Sequence, residues 1–252
     1  FIAIAVAVLA TLAYWPCTRN GFTHWDDTVY LEAAGQHGVG WALTTTHVYY
    51  HPLTWLSHEF DLKLWGLNPV PHHATNVVLH ALNAGLVVWL VWLLTQRLPL
   101  AAWVGIVFAV HPLQVESVAW IAERKNLLCA FFSLLALIFY VRGRWWPMVA
   151  AYAAALLSKP MAVPLPVVMM AIDYFPRGRR DAKILTEKWL LFLLAAIITV
   201  LAFRGQIDTG ALRTHELSVV ERVFVAARSL VFYLWKIVWP SWLSPLPTKP
   251  SG

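Results

Sequence analysis

Long apolar runs alternate with short polar breaks along almost the whole chain. An apolar stretch ending at Pro16 comes first, and a mixed segment over 17–71 follows it, with no run long enough to span a bilayer. Further apolar runs cover 72–94, 98–110, 127–141, 145–157, 161–175, 189–203 and 219–239. Together they predict about eight membrane helices. A helix rises about 1.5 Å per residue, so a hydrocarbon core of about 30 Å asks for roughly 20 residues. Several of these runs fall short of that, which marks broken helices or boundaries displaced by a turn. The first run, which carries no Met at its start, reads as a clipped span. The Pro-rich residues 245–252 read as a linker cut short. One membrane domain over 1–244 is therefore expected, with further sequence beyond it.

Composition excludes the soluble alternatives. Of 252 residues, 60% are hydrophobic and only 13% charged. The mean hydropathy is +0.61. So little polar surface does not solvate a globule, and the pattern is neither disordered, collagen-like nor a disulfide-rich scaffold. The fold class is all-α, a polytopic membrane bundle. The 17–71 segment mixes Asp26, Asp27, Glu32, Glu59 and Asp61 with Trp25, Trp41, Trp55 and Trp65, which predicts helices lying at the membrane surface.

The net charge of +6 would suggest nucleic acid in a soluble domain. Here the basic residues sit largely in short loops, so they report orientation, and no nucleic-acid partner is expected. Arg97, Arg142, Arg144 and the basic loop 177–183 fall on one side, which the excess of positive charge makes cytoplasmic. The other side then receives 17–71, 111–126, Ser158-Lys159-Pro160 and 204–218. Nearly all the chemically interesting residues gather there. The two cysteines, Cys17 and Cys129, are too few for a disulfide framework or a thiolate metal site.

Four groups could carry chemistry. Asp26 and Asp27 are adjacent carboxylates beside Trp25, able to supply a base whose pKa is raised by partial desolvation and by its neighbour; a solvated turn or helix cap is the plainer alternative. Asn76, His80 and Asn83 share one helix face, with His72 and His73 a turn before them. Polar groups in hydrocarbon are costly, so this stripe should face protein, and hydrogen bonding between helices is expected over metal binding. In the stretch 111–126, His111 precedes Glu116, Trp120, Glu123 and Arg124, which lie along one helical face and fit either a membrane-surface site or a re-entrant connector with internal ion pairs. Lys125, Lys159, Arg204 and Arg213 are further cations on the same side and could meet a phosphate, although snorkelling would also explain them.

The stretch 111–128 closely resembles a signature of the transmembrane and tetratricopeptide-repeat O-mannosyltransferase family and its bacterial relatives. Trp25-Asp26-Asp27, the histidine-rich start of the second span, and Ser158-Lys159-Pro160 before a run ending Ile172-Asp173-Tyr174 match in the same order. Such proteins look like GT-C glycosyltransferases, multispan enzymes that take sugar from a polyprenyl-phosphate carrier on the extracytoplasmic side. The resemblance implies that the acidic pair supplies the catalytic carboxylate. Asp27 is preferred over Asp26. It also implies a location in a bacterial inner membrane, or in the endoplasmic reticulum of a eukaryote, and a repeat domain beyond residue 252.

The implied chemistry suits these residues. The leaving group is a phosphate, whose second pKa is about 6, so it needs no protein acid. One carboxylate base and cationic stabilisation from Arg124, Lys125, Lys159, Arg204 or Arg213 would serve an inverting displacement, with His80, His111, Glu116 and Glu123 in support. No resident cofactor is expected, and no divalent-metal ligand set is specified. The partners are the bilayer, the lipid-linked sugar (mannose is one candidate) and an acceptor hydroxyl, such as protein Ser or Thr. Two other readings compete: a non-catalytic membrane anchor for a repeat domain, and a transporter, which would need ionisable groups near mid-bilayer and usually an internal repeat.

Overall fold

The computed structural model describes residues 1–23, 25–45, 50–175, 177–181, 183–208 and 218–241, excepting the side chains of Asp208 and Val219. Helices, turns and connections make up these residues, and no strand occurs among them. In chain order the helices are α1 (Ile2–Tyr14), α2 (Asp26–Gln36), α3 (Val39–Thr44), α4 (Pro52–Trp65), α5 (Pro69–Thr95), α6 (Leu98–Val110) and α7 (Gln114–Ala119). There follow α8 (Arg124–Val141), α9 (Trp145–Ser158), α10 (Leu165–Tyr174), α11 (Lys183–Thr186), α12 (Trp189–Asp208) and α13 (Val219–Val238). Short 3₁₀ turns at Trp15–Arg19, Ile121–Glu123 and Pro160–Ala162 join some of them.

Four of these segments are long and apolar enough to cross a bilayer: Ile2–Arg19, Pro69–Thr95, Ile121–Val141 and Trp189–Ile207. Leu98–Val110, Trp145–Ser158 and Pro160–Tyr174 are apolar but shorter. The protein is an integral membrane protein. The count of eight is not reached by these criteria. Helix α13 has the length expected of an eighth span, but Glu221, Arg222, Arg228 and Lys236 interrupt its apolar sequence. The anticipated surface helices of 17–71 are present as α2, α3 and α4. The expected linker at 245–252 lies outside the described residues.

Local sequence sets the boundaries. Proline sits in the first turn of α4, α5, α6 and α10, where its fixed φ suits a helix start and its missing N–H costs nothing. Helix α5 stops at Gln96 in the left-handed region (φ 55), and α4 stops at Gly66 (φ 59). The helix-compatible stretch 113–126 does not form one continuous helix. Trp120 turns extended (ψ 120) between α7 and the 3₁₀ turn Ile121–Glu123, so Glu116 and Arg124 do not share a face.

Two apolar cores hold the bundle. Val6 and Ala10 of α1 pack with Ala81, Ala84 and Val88 of α5 and with Ala101 and Ala109 of α6. Gly105 permits this close approach, because a Cβ there would collide with Val88 Cγ2. The second core joins α8, α9, α10 and α12 through Ala136, Ile138, Met148, Tyr152, Met169 and Leu191. Above them the surface helices close over Tyr30, which stacks on Trp55 at 4.5 Å between ring centroids. That cap holds the acidic pair.

Candidate functional site

The polar stripe of α5 faces protein, as its cost in hydrocarbon requires. Asn76 Nδ2 donates to the carbonyls of Trp120 (3.1 Å) and Val118 (3.4 Å), and Asn83 Nδ2 to that of Leu127 (3.0 Å). His80 Nε2 lies 2.9 Å from the carbonyl of Ala109, and its ring packs between Tyr14 and Phe108. All three side chains tie α5 to later elements by carbonyl groups. Among the described residues no group of three or more His, Cys, Asp or Glu side chains could hold a metal ion, and Cys17 and Cys129 are free thiols.

Arg124 takes a different place from the one its sequence suggested. It is wholly buried. Its guanidinium pairs with Asp61 at 2.7 Å and donates to Asn76 Oδ1 (2.9 Å), the His72 carbonyl (2.9 Å) and Ser57 Oγ (3.2 Å). A fully engaged, sealed guanidinium is an internal tie between α4, α5 and α8. It does not line the cavity described next. Asp61 and Ser57 were not singled out from the sequence, because nothing local marks them as partners of a residue over sixty positions away.

The two acidic neighbours also separate. Asp27 is 0% exposed, and its carboxylate accepts from Thr23 N (2.8 Å), Thr23 Oγ1 (2.9 Å) and Ala122 N (2.8 Å). It latches the start of α2 to the turn before α8. Asp26, half-buried, has no side-chain hydrogen bond or ion pair among the described residues, and it lines a cavity of about 380 Å³. The difference arises from helix geometry: successive residues point about 100° apart.

Tyr50, His51, Glu123, Lys125, Lys159, Pro160, Met161, Ala202 and Gln206 line that cavity with Asp26. The start of α2, the segment before α4, the start of α8, the end of α9 and the end of α12 thus converge. Glu123 organises the cations. Its Oε1 lies 2.7 Å from Lys125 Nζ, its Oε2 lies 3.9 Å from Lys159 Nζ, and it accepts from Asn126 at 2.5 Å. Lys125 also sits over the Tyr30 ring at 5.0 Å. Lys159 donates to Asn126 Oδ1 at 2.6 Å and keeps a fifth of its side chain exposed. An unpaired carboxylate thus shares one cavity with two ammonium groups.

The other expected residues lie elsewhere. Glu116 is exposed on α7, Arg204 is exposed on α12, and neither lines the cavity. Both ring nitrogens of His111 are engaged, Nδ1 by the amide of Leu113 (3.2 Å) and Nε2 beside the carbonyl of Ile237 (3.1 Å). Arg213 lies outside the described residues. His51 was passed over as a site residue, because His51-Pro52-Leu53, repeated at His111-Pro112-Leu113, is too short a pattern to mark a role. Burial, with the charges of Lys125 and Lys159 beyond it, pushes the His51 pKa down to about 3. His58, sealed beneath the cap, is pushed well below the usual histidine range by burial and then by Arg124. Both rings are neutral at physiological pH.

The fold and cavity define a helical membrane protein with a polar, mixed-charge chamber roofed by surface helices. Its curated relatives are the protein O-mannosyl-transferases TMTC1 to TMTC4. Mouse Protein O-mannosyl-transferase TMTC1 is 38% identical over 112 residues, which is 42% of this chain and 11% of that protein. Human TMTC2 is 35% identical over 97 residues, covering 38% of this chain and 12% of that protein. Mouse TMTC3 is 25% identical over 98% of this chain and 30% of its own length. The chain therefore spans less than a third of the length of these relatives. No family model matches, and no solved structure matches.

Proposed function

We propose that this chain is the membrane portion of a glycosyltransferase that moves a sugar, mannose in the reading favoured by its relatives' names, from a polyprenyl-phosphate carrier to a Ser or Thr hydroxyl of a protein. The chamber opens on the extracytoplasmic side in this reading. Asp26 is the base. Its carboxylate takes the acceptor's hydroxyl proton as that oxygen attacks the anomeric carbon. The bond from that carbon to the phosphate oxygen breaks, and polyprenyl phosphate departs with the bonding electrons. Configuration at the anomeric carbon inverts.

Lys125 and Lys159 meet the charge that grows on the departing phosphate. Glu123 holds the two ammonium groups on one wall, and Asn126 steadies Lys159. Neutral His51 is suited to a sugar hydroxyl, which asks for hydrogen bonding without charge. The reaction so written draws on no resident cofactor, because the phosphate leaves without protonation and the lysines supply the positive charge. Asp27 and Arg124 build the chamber without facing it.

The single observation behind this reading is the company Asp26 keeps: a carboxylate with no partner among the described residues, in a cavity with two lysines. Its test is sugar transfer by the full-length protein in membranes, with a panel of polyprenyl-phosphate sugars as donors. Asp26→Asn should lower transfer by about 100-fold or more, the usual worth of a positioned base, and leave the unfolding temperature unchanged. Wild-type transfer by that variant would reject the assignment.

A further inference from the structure

Helices α8, α9 and α12 reach the Asp26 cavity with one end. Their other ends meet at a second cavity, of about 330 Å³, which the mechanism above does not use. Its cations are Arg144 at the start of α9, Arg177 and Arg179 after α10, and Lys188 just before α12. Tyr140, Trp145 and Met148 supply its apolar walls.

Most of this charge is already paired. Asp173, wholly buried, lies 2.7 Å from Lys188 Nζ, 3.1 Å from Arg177 and 3.8 Å from Arg179, and it accepts from the Tyr140 hydroxyl. Arg177 also donates to the carbonyls of Tyr140 and Val141. Arg179 grips both oxygens of Glu187, at 2.8 and 2.9 Å, and pairs with Asp181 at 3.4 Å. Four cations against three carboxylates leave one positive charge over.

Arg144 holds that surplus. It is exposed, and its guanidinium has no hydrogen bond or ion pair among the described residues. Helix α9 begins beside it without a side-chain cap, so amide donors of its first turn lack a side-chain partner. Next in sequence to the lining residues Trp145 and Lys188 stand two exposed indoles, Trp146 (72% exposed) and Trp189 (63%). Exposed indoles at the ends of apolar helices belong at headgroup depth.

We propose that this cavity binds the phosphate-bearing headgroup of an anionic lipid, with Arg144 as the group that takes the phosphate. A guanidinium offers a phosphate paired donors, and basic pockets between membrane helices suit anionic headgroups. The apolar walls and the indoles favour a ligand with acyl chains over a free ion. The lysine and arginines around Asp173 are held by their own carboxylates, so they shape the cavity, and Arg144 sets its sign. The neutralised interior keeps the ends of α8, α10 and α12 together whether or not the lipid is bound. The inference is independent of the reaction proposed for the other end.

The test uses the purified full-length protein in uncharged detergent, with dioctanoyl phosphatidic acid, dioctanoyl phosphatidylcholine and inorganic phosphate as probes. Equilibrium binding and thermal unfolding are both read. Phosphatidic acid should bind and raise the unfolding temperature, and phosphatidylcholine at equal concentration should do neither. Arg144→Gln should weaken phosphatidic acid binding about fivefold, the worth of one basic group at an anionic surface. Arg144→Lys should restore most of it. Arg144 has no side-chain partner to lose among the described residues, so both variants should unfold at the wild-type temperature without lipid. Equal binding of phosphatidylcholine, or unchanged phosphatidic acid affinity in Arg144→Gln, overturns the proposal. Inorganic phosphate binding as tightly as phosphatidic acid overturns it too, by making the ligand a free ion.

Discussion

Two neighbouring charge clusters behave in opposite ways. Around Arg124 the charge is paired and enclosed: the guanidinium meets Asp61 and Asn76 beneath the cap. Around Asp26 the set is open, with a carboxylate that no described group binds and Lys159 partly exposed. The clusters interleave along the chain, since Asp26 adjoins Asp27 and Arg124 adjoins Lys125. In each pair one member ties the structure together and its neighbour lines the cavity. Residue type alone assigns neither role. A buried charge is tolerated only when paired and hydrogen-bonded, whereas a group that exchanges a proton or meets a phosphate must keep a free side.

Substitutions can break this contrast, the largest effect falling in the closed cluster. Arg124→Met strands Asp61 in the interior and should cost about 3–5 kcal/mol, measured by thermal unfolding of the detergent-solubilised protein. A wild-type unfolding temperature would mean that the cluster is not sealed. Asp27→Asn keeps one acceptor oxygen and loses the rest of the latch to Thr23 and Ala122. It should cost about 1–3 kcal/mol while transfer per folded molecule survives better than in Asp26→Asn. Abolished transfer with normal stability would exchange the roles of the two aspartates.

Lys159→Met, in the open cluster, should raise the donor KM by about tenfold with little loss of stability, because one charge-assisted contact is removed. Unchanged donor dependence would move the phosphate away from that wall. The smallest effect at neutral pH is that of His51, which shows only as the pH is lowered. The folded protein holds His51 neutral down to about pH 3, against an ordinary value of 6.5. Between those values the unfolded chain binds more protons than the folded one, so stability should fall as pH is lowered through the window. His58 acts in the same direction. His51→Gln should flatten part of this slope in unfolding curves taken across the window, and an unaltered slope would show that His51 charges freely in the fold.

The sequence carried much of the architecture. The run 98–110 is reproduced as Leu98–Val110, and the run at 145–157 differs from α9 by one residue. Asn76, His80 and Asn83 could be assigned to a protein-facing stripe from their spacing, and each meets a backbone carbonyl. The gathering of Asp26, Glu123, Lys125 and Lys159 at one end followed from counting spans. The single face expected for Glu116 to Arg124 did not, because the extended turn at Trp120 answers to the carbonyl bonded by Asn76 and to the cap above it. At 219–239 a helix of the expected length forms, but the charges spaced along it leave its role as an eighth span unconfirmed.

Sequence alone determined that the chain is helical and embedded, since apolar runs in hydrocarbon must satisfy their own backbone groups and helices do so within a single run. It also determined which residue types would stand at the polar end. Tertiary structure decided which of two adjacent acids, and which of two adjacent cations, keeps a free face. Neighbours on a helix diverge by about 100°, and the partners that seal one and spare the other arrive from segments far along the chain.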